Sequence, residues 1–145
     1  MTSVTDPVLT DVRIEGATTS VPGRFLISDE TFQIVTDASK AKGGRAQAPG
    51  TSHLIGGALV TCALNVFRGA VEPELETDRE VHIVARFQRR ESQTNLGSIH
   101  LDVKIAGVDQ AEADRLRQLY VDSCSIYQAL TATRALDITL SASPY

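Results

Sequence analysis

The sequence predicts an α+β fold, and three observations predict it. Residues 52–69 repeat apolar side chains at helical spacing: Leu54, Ala58, Cys62 and Val66 recur every four residues, as do Ile55, Leu59, Ala63 and Phe67. Residues 81–88 and 99–105 instead alternate apolar and polar side chains, the pattern of half-buried strands. The order of elements then runs strands, helix, strands, two helices, strand, without the regular βαβ alternation of a parallel-sheet protein. The chain has 145 residues, which suits a single domain spanning 1–145 with a real core.

In chain order, residues 8–15 read as a strand on Val8, Val12 and Ile14, followed by turn-rich residues 16–23. Residues 24–27 and 31–36 read as further strands around the turn Ser28-Asp29-Glu30, completing an N-terminal antiparallel meander. Residues 37–50 form a polar loop with Gly43-Gly44 and Pro49-Gly50, long enough to point to function or mobility. The helix over 52–69 follows, with Thr51 or Ser52 to cap its start and Gly69 to end it. It holds no formal charge between Leu54 and Phe67, so it is expected to be buried on most sides. Gly56 and Gly57 each cost about 1 kcal/mol of helix propensity and make sense where another backbone packs closely. Residues 72–80 form an acidic, solvated linker.

Beyond the two clear strands, Asp109 caps a helix whose Ala113, Leu116, Leu119 and Tyr120 share a face. Asp122 and Ser123 interrupt that pattern before Cys124, a shorter helix runs from Ser125 to about Thr133, and Leu136, Ile138 and Leu140 form a last strand.

Composition excludes several functions. Net charge is −4 with no basic cluster, which argues against nucleic acid. No apolar run is long enough to span a bilayer, and the first residues lack the basic and apolar regions of a signal peptide. The expectation is a cytoplasmic protein whose two thiols rest reduced. Two cysteines with no nearby Cys/His cluster make no zinc site, and no cofactor is expected.

Those cysteines are the candidates for chemistry. Cys124 precedes a helix N-terminus, where partial positive charge favours thiolate. Cys62 sits mid-helix on an apolar face, where burial alone raises its pKa, so reactivity requires a cation, and Arg13, Arg24, Arg45 and Arg68 are the arginines on offer. If the two met in space they would form a reversible dithiol–disulfide pair. The plainer reading is that scattered cysteines are core filler, which holds roughly two times in three on composition alone. The remaining polar residues read plainly too: His53 as a solvated helix-start residue, His82 and His100 on exposed strand faces, and Asp11, Asp29 and Asp37 as turn formers.

The segment Pro49-Gly50-Thr51-Ser52-His53-Leu54-Ile55-Gly56-Gly57-Ala58-Leu59-Val60-Thr61-Cys62 resembles the approach to the first cysteine of OsmC/Ohr proteins. Cys124, with Tyr127, Thr131 and the terminal strand Leu136-Asp137-Ile138-Thr139-Leu140, is similar to the family's second cysteine, short helix and last strand. The meander before the helix and the strand–strand–helix block between the cysteines extend the likeness over nearly the whole chain. The resemblance implies an OsmC-like fold, with antiparallel sheets around a buried central helix in an intertwined homodimer. It implies a thiol peroxidase for organic hydroperoxides, served by an external dithiol reductant. Carried over, Cys62 would be the peroxidatic thiol and Cys124 the resolving thiol.

The chain departs from the family at its activating pair. Where the family has a glutamate at the helix start, this sequence has Ser52, and at the place of the activating arginine it has Val21. Arg24 is the nearest arginine, brought into place only by a shifted turn, and Ser125 stands where a proline often follows the second cysteine. Two functions are therefore weighed: a cysteine-based hydroperoxide reductase using Cys62, Cys124 and Arg24, and a non-catalytic dimer of the same fold that holds a small hydrophobic ligand at its interface.

Overall fold

The computed structural model describes residues 11–69 and 79–145. It divides into two compact units, one within residues 1–51 and one within 52–145.

The N-terminal unit is a three-stranded antiparallel meander of β1 (Glu15–Thr18), β2 (Arg24–Ser28) and β3 (Gln33–Asp37). The first strand starts later than its sequence suggests. Residues 11–14 carry no strand, and residues 8–10 lie outside the described residues. The ladder decides this, because β2 offers partners only from Glu15, opposite Ser28, to Thr18, opposite Phe25. The β2–β3 turn is fastened by Asp29, whose carboxylate accepts from the Thr31 and Phe32 backbone N–H groups at 2.6 and 2.9 Å. These donors hold the Asp29 carboxyl below its ordinary pKa. After β3 the chain makes a short 3₁₀ turn, Lys40–Lys42, and folds back tightly. A Cβ on Gly44 would come within 1.9 Å of the Ala38 carbonyl oxygen, and one on Gly23 within 2.6 Å of the Gly44 Cα, so this return admits only glycine at both positions.

The second unit opens with α1 (Thr51–Phe67), whose buried residues are Gly56, Leu59, Ala63, Val66 and Phe67. Its sheet comprises β4 (Val81–Gln88), β5 (Ser98–Ile105) and β6 (Asp137–Pro144), with β5 central. Strand β4 runs antiparallel to β5, and β6 runs parallel to it. The parallel return is what α2 (Gln110–Ser123) and α3 (Ser125–Ala132) make possible, since such a crossover needs a long connection. Alternation along β5 is clean. Ile99, Leu101, Val103 and Ile105 are buried, while His100 is exposed and Asp102 and Lys104 are partly exposed. Asp109 caps α2 by accepting the Glu112 N–H at 2.8 Å, and Ala113, Leu116 and Tyr120 turn into the core. The last strand extends four residues past Leu140, because β5 supplies register partners as far as Pro144.

The expectation that the central helix is enclosed on most sides is not met in the single chain. Gly57, Ala58, Thr61 and Asn65 are exposed, so α1 buries one face and leaves small and polar residues open. Nor does a backbone press on its glycines. A Cβ on Gly56 would meet only the Ile99 side chain at 3.5 Å, and one on Gly57 would meet nothing within 4 Å. Of the acidic linker, residues 72–78 lie outside the described residues.

Candidate functional site: a thiol pair beneath Tyr120

The core of the second unit brings together residues far apart in sequence. Leu59, Ala63, Val66 and Phe67 of α1 meet Leu116 and Tyr120 of α2, the inward face of β5, and Cys124. Cys124 is the hinge between α2 and α3. Its backbone N–H bonds the Tyr120 carbonyl at 2.9 Å and closes α2, while its sulfur accepts the Tyr127 N–H at 3.4 Å and caps α3. An extended backbone at Cys124 (φ −79°, ψ 105°) lets one residue serve both helices. Cys124 is 2% exposed, and Cys62 is half-buried.

Both thiols are free, Cys124 within the core and Cys62 packed against it. Burial pushes the Cys62 thiol up to about 12, and the hydrogen bond to Cys124 and the charge on that sulfur push it the same way. All three effects favour Cys62 as S–H, and none comes from a cation.

Tyr120 completes the cluster. It is fully buried, with its ring 6.0 Å from Phe67 and 5.5 Å, edge-on, from Tyr127. Its hydroxyl donates toward the Leu59 carbonyl at 3.5 Å. Burial, followed by the negative charge that Cys124 can carry, raises its pKa well above the ordinary phenol value. Sequence periodicity assigns Tyr120 to an apolar face and misses this role.

Arg24 belongs to the other unit and has a partner there. Register places it directly opposite Asp37 on the neighbouring strand. Its Nε and Nη2 donate to the two Asp37 carboxylate oxygens at 2.8 and 3.0 Å, a bidentate pair. Asp37 also accepts the Gln47 and Ala48 N–H groups at 2.8 and 3.1 Å, so it gathers the loop onto the sheet. The Arg24 guanidinium, opposed by burial and helped by the two backbone donors, holds the Asp37 carboxyl at about 2. Reading Asp37 as a turn former is therefore incorrect: its side chain is 1% exposed and anchors an ion pair. The β2–β3 hairpin contains the signal, since a turn after Ser28 pairs position 24 with position 37. Among the other candidates, Arg45, His53, His82 and His100 are exposed, and His100 hydrogen-bonds Thr139 at 2.7 Å on the outer sheet face.

No family model and no curated protein matches this sequence. Solved structures do. An OsmC-like protein from Mycoplasma pneumoniae superposes with a TM-score of 0.77 at 16% identity, covering 94% of this chain and 99% of the other. An organic hydroperoxide resistance protein OsmC from Legionella pneumophila gives 0.72 at 18% identity, covering 94% and 99%. The organic hydroperoxide resistance protein OhrB of Bacillus subtilis gives 0.68 at 14%, covering 95% and 100%. An OsmC-like protein from Vibrio cholerae, described as of unknown function, gives 0.69 at 10%, covering 92% and 100%. At these identities the likeness is one of fold.

Proposed function

We propose that this chain, which has the fold of the OsmC-like and organic hydroperoxide resistance proteins, is a two-cysteine thiol peroxidase that reduces organic hydroperoxides. The observation that carries the reading is that two free thiols from distant parts of the sequence, Cys62 and Cys124, share one apolar core, where an alkyl chain is compatible with the surroundings. In the first step the Cys62 thiolate attacks the O–O bond. An S–O bond forms, the O–O bond breaks, and the alkoxide leaves and takes a proton to become the alcohol. The sulfur gives up two electrons and becomes a sulfenic acid. In the second step the Cys124 sulfur attacks Cys62. The S–S bond forms, the S–O bond breaks, and hydroxide combines with the proton released by Cys124 to leave as water. An external dithiol then reduces the disulfide by exchange, and a reducing cytoplasm keeps the resting pair as thiols.

Cys62 needs positive charge to ionise, because burial and its neighbour hold it at about 12. In this reading Arg24 supplies it. Asp37 engages the Nε and Nη2 edge of the guanidinium and fixes its plane, and among the described residues Nη1 makes no hydrogen bond. The working unit is a homodimer. Phe25 at 39% exposure and Val35 at 45% leave both faces of the N-terminal sheet with large apolar residues open, which argues for cover by a second copy. A standard interface buries about 1,600 Å². Light scattering at low micromolar concentration is expected to give the dimer mass, and a stable folded monomer would remove this part of the reading.

The raised Cys62 pKa also favours a second reading, a non-catalytic dimer of the same fold holding a small hydrophobic ligand. Free-thiol counting after one equivalent of an alkyl hydroperoxide separates the two. The peroxidase loses both thiols per chain and releases one equivalent of alcohol, whereas the binding protein keeps its thiols.

A further inference from the structure

Four exposed arginines that lie apart in sequence, Arg86, Arg89, Arg90 and Arg134, are gathered at one end of the C-terminal sheet. Register puts Gln88, Ser98 and Asp137 side by side there, so β4 runs out where β5 and β6 begin. Arg89 and Arg90 follow Gln88 directly, and Arg86 stands two residues back, opposite the exposed His100. The chain returns at Gly97 (φ 111°), where a Cβ would come within 2.2 Å of the Gln88 carbonyl oxygen and 3.0 Å of the Arg89 Cβ. That return is tied to the turn before β6. The Leu96 N–H bonds the Ala135 carbonyl at 2.8 Å, and Asn95 Nδ2 donates to the Arg134 carbonyl at 3.4 Å. Arg134 is thereby held next to Leu96, which is 38% exposed. Arg24, Arg79 and Arg115 have carboxylate partners, whereas among the described residues none of the four tip side chains makes an ion pair or hydrogen bond. The carboxylates at this end are Glu91 and Asp137, so the tip holds an excess of positive charge in a chain of net charge −4.

We propose that this arginine tip is the docking surface for an acidic protein that delivers the reducing dithiol. The assignment rests on the peroxidase reading above, which needs an external dithiol. Charge complementarity selects the partner. A negatively charged chain repels an acidic body except at a basic patch, so the tip steers and orients the encounter. Arginine forks pair bidentately with carboxylates, and Leu96 among them supplies an apolar contact. Nucleic acid and an anionic bilayer fit less well, because each is extended and would press its negative charge against the rest of the chain. Distance argues for a macromolecule. Helix α3, with eight residues and therefore about 12 Å long, separates Cys124 from the turn that holds Arg134. A small dithiol cannot touch both the arginines and the sulfurs, whereas a protein anchored at the tip can. One sulfur of the partner's dithiol bonds to Cys62, the more exposed of the pair, and the Cys62–Cys124 bond breaks. The partner's second sulfur then displaces Cys62. The partner leaves as a disulfide, and its two electrons and two protons remain on Cys62 and Cys124.

The probes are two synthetic peptides that share a Cys-Gly-Pro-Cys dithiol and differ in a tail, all glutamate or all lysine. A tail of about ten residues outreaches α3 when extended. Full-length protein, oxidised with one equivalent of cumene hydroperoxide, is reduced by each peptide and by dithiothreitol, with acid quench and mass spectrometry. The glutamate-tailed peptide is expected to reduce the wild type roughly tenfold faster than the lysine-tailed one at low ionic strength, and about 1 M salt to erase the difference. Arg89→Glu with Arg90→Glu is expected to erase or reverse that preference while dithiothreitol rates stay at wild type. Lys40→Glu with Lys42→Glu makes the same change in net charge on exposed residues of the N-terminal unit and is expected to keep most of it. Equal rates for the two peptides, or equal loss in the two double variants, overturns the assignment. Arg86→Glu and Arg134→Glu, made singly, should each lose part of the preference, so the proposal stays testable if the double variant does not fold. A wild type that forms no disulfide defeats the peroxidase reading alone. Docking is then read by fluorescence anisotropy with a labelled glutamate tail. Binding that is lost in Arg89→Glu with Arg90→Glu upholds the surface, and no binding ends it. Tighter binding of a DNA duplex or of phosphatidylglycerol vesicles to the same arginines overturns the choice of partner.

Discussion

The two three-stranded sheets of this chain are held by opposite means. In the C-terminal unit, Ile99, Leu101, Val103 and Ile105 turn one face of β5 into a continuous apolar layer, with Leu116 and Tyr120 of α2 and Leu59 of α1 in the same core. In the N-terminal unit, the buried side chains among the described residues are Thr36 and Asp37, and large apolar residues such as Phe25 and Val35 remain exposed. Its closure is polar: Arg24 bonded across the ladder to Asp37, and Asp37 to the loop backbone. The difference teaches that each unit closes by its own physics: the half rich in burial holds the sulfurs and raises the pKa of Cys62, and the other half is held by a bidentate ion pair.

The largest expected effect breaks the comparison at the sulfurs themselves. Cys62→Ser is expected to abolish consumption of an alkyl hydroperoxide, because no other side chain in the cluster can take the oxygen. Cys124→Ser is expected to allow a single turnover and leave Cys62 as a sulfenic acid open to over-oxidation. Mass spectrometry after one equivalent of hydroperoxide reads both outcomes. Equal loss in the two variants would make the pair structural and favour the ligand-binding protein.

The next effect tests whether the polar half serves the apolar half. Arg24→Ala is expected to slow the first step by roughly a hundredfold, the scale found for removing one electrostatic stabiliser from an active site. Stopped-flow peroxide consumption across pH would show the loss recovering at high pH, where Cys62 ionises unaided. A variant as fast as wild type would free Arg24 of any role beyond the ion pair.

Within the apolar half, Leu59→Ala is expected to cost about 2–5 kcal/mol, because Leu59 is fully buried in the core. Urea unfolding measures it. A cost below about 1 kcal/mol would show that α1 is not part of the cooperative core.

How much of this was legible in the sequence follows the same division. Burial leaves a periodic trace, so α1, β4, β5, the Asp109 cap and the break before Cys124 could all be read from spacing. The α+β class follows from their order, and the solved structures bear out the OsmC/Ohr resemblance at the level of fold. What could not be read was set by pairing. The start of β1 depends on which residues β2 offers, the parallel course of β6 depends on where α2 and α3 return the chain, and the Arg24–Asp37 bond depends on hairpin register. Tyr120 was hidden for another reason. A tyrosine on an apolar face reads as hydrophobic, and nothing in the periodicity shows where its hydroxyl points. The openness of α1 was also illegible, because glycine, alanine and threonine satisfy an apolar pattern whether they are covered or not.

The smallest effect is confined to acid and sharpens the contrast between the halves. The folded unit holds the Asp37 carboxyl at about 2, down from an ordinary 3.8, chiefly through the Arg24 hydrogen bond. A depressed carboxylate contributes stability that is fully present above its unfolded pKa and is lost as pH falls through its folded value. The N-terminal sheet is therefore expected to weaken between about pH 4 and about pH 2 while neutral stability is untouched. The inward face of β5 carries no ionisable side chain to follow it. The lowered carboxylate of the C-terminal unit, Glu112, lies partly exposed on α2 beside Arg115 and Arg79, outside the apolar layer. Amide hydrogen exchange at stepped pH should show protection falling first at Phe25, Leu26 and Ile27 of β2 and last on β5. Asp37→Asn should start from lower protection in the N-terminal sheet at neutral pH, since the bidentate pair is gone, and then lose less on acidification than wild type. A parallel decline in both sheets, or an unchanged acid response in Asp37→Asn, would show that the ion pair does not hold the N-terminal unit together.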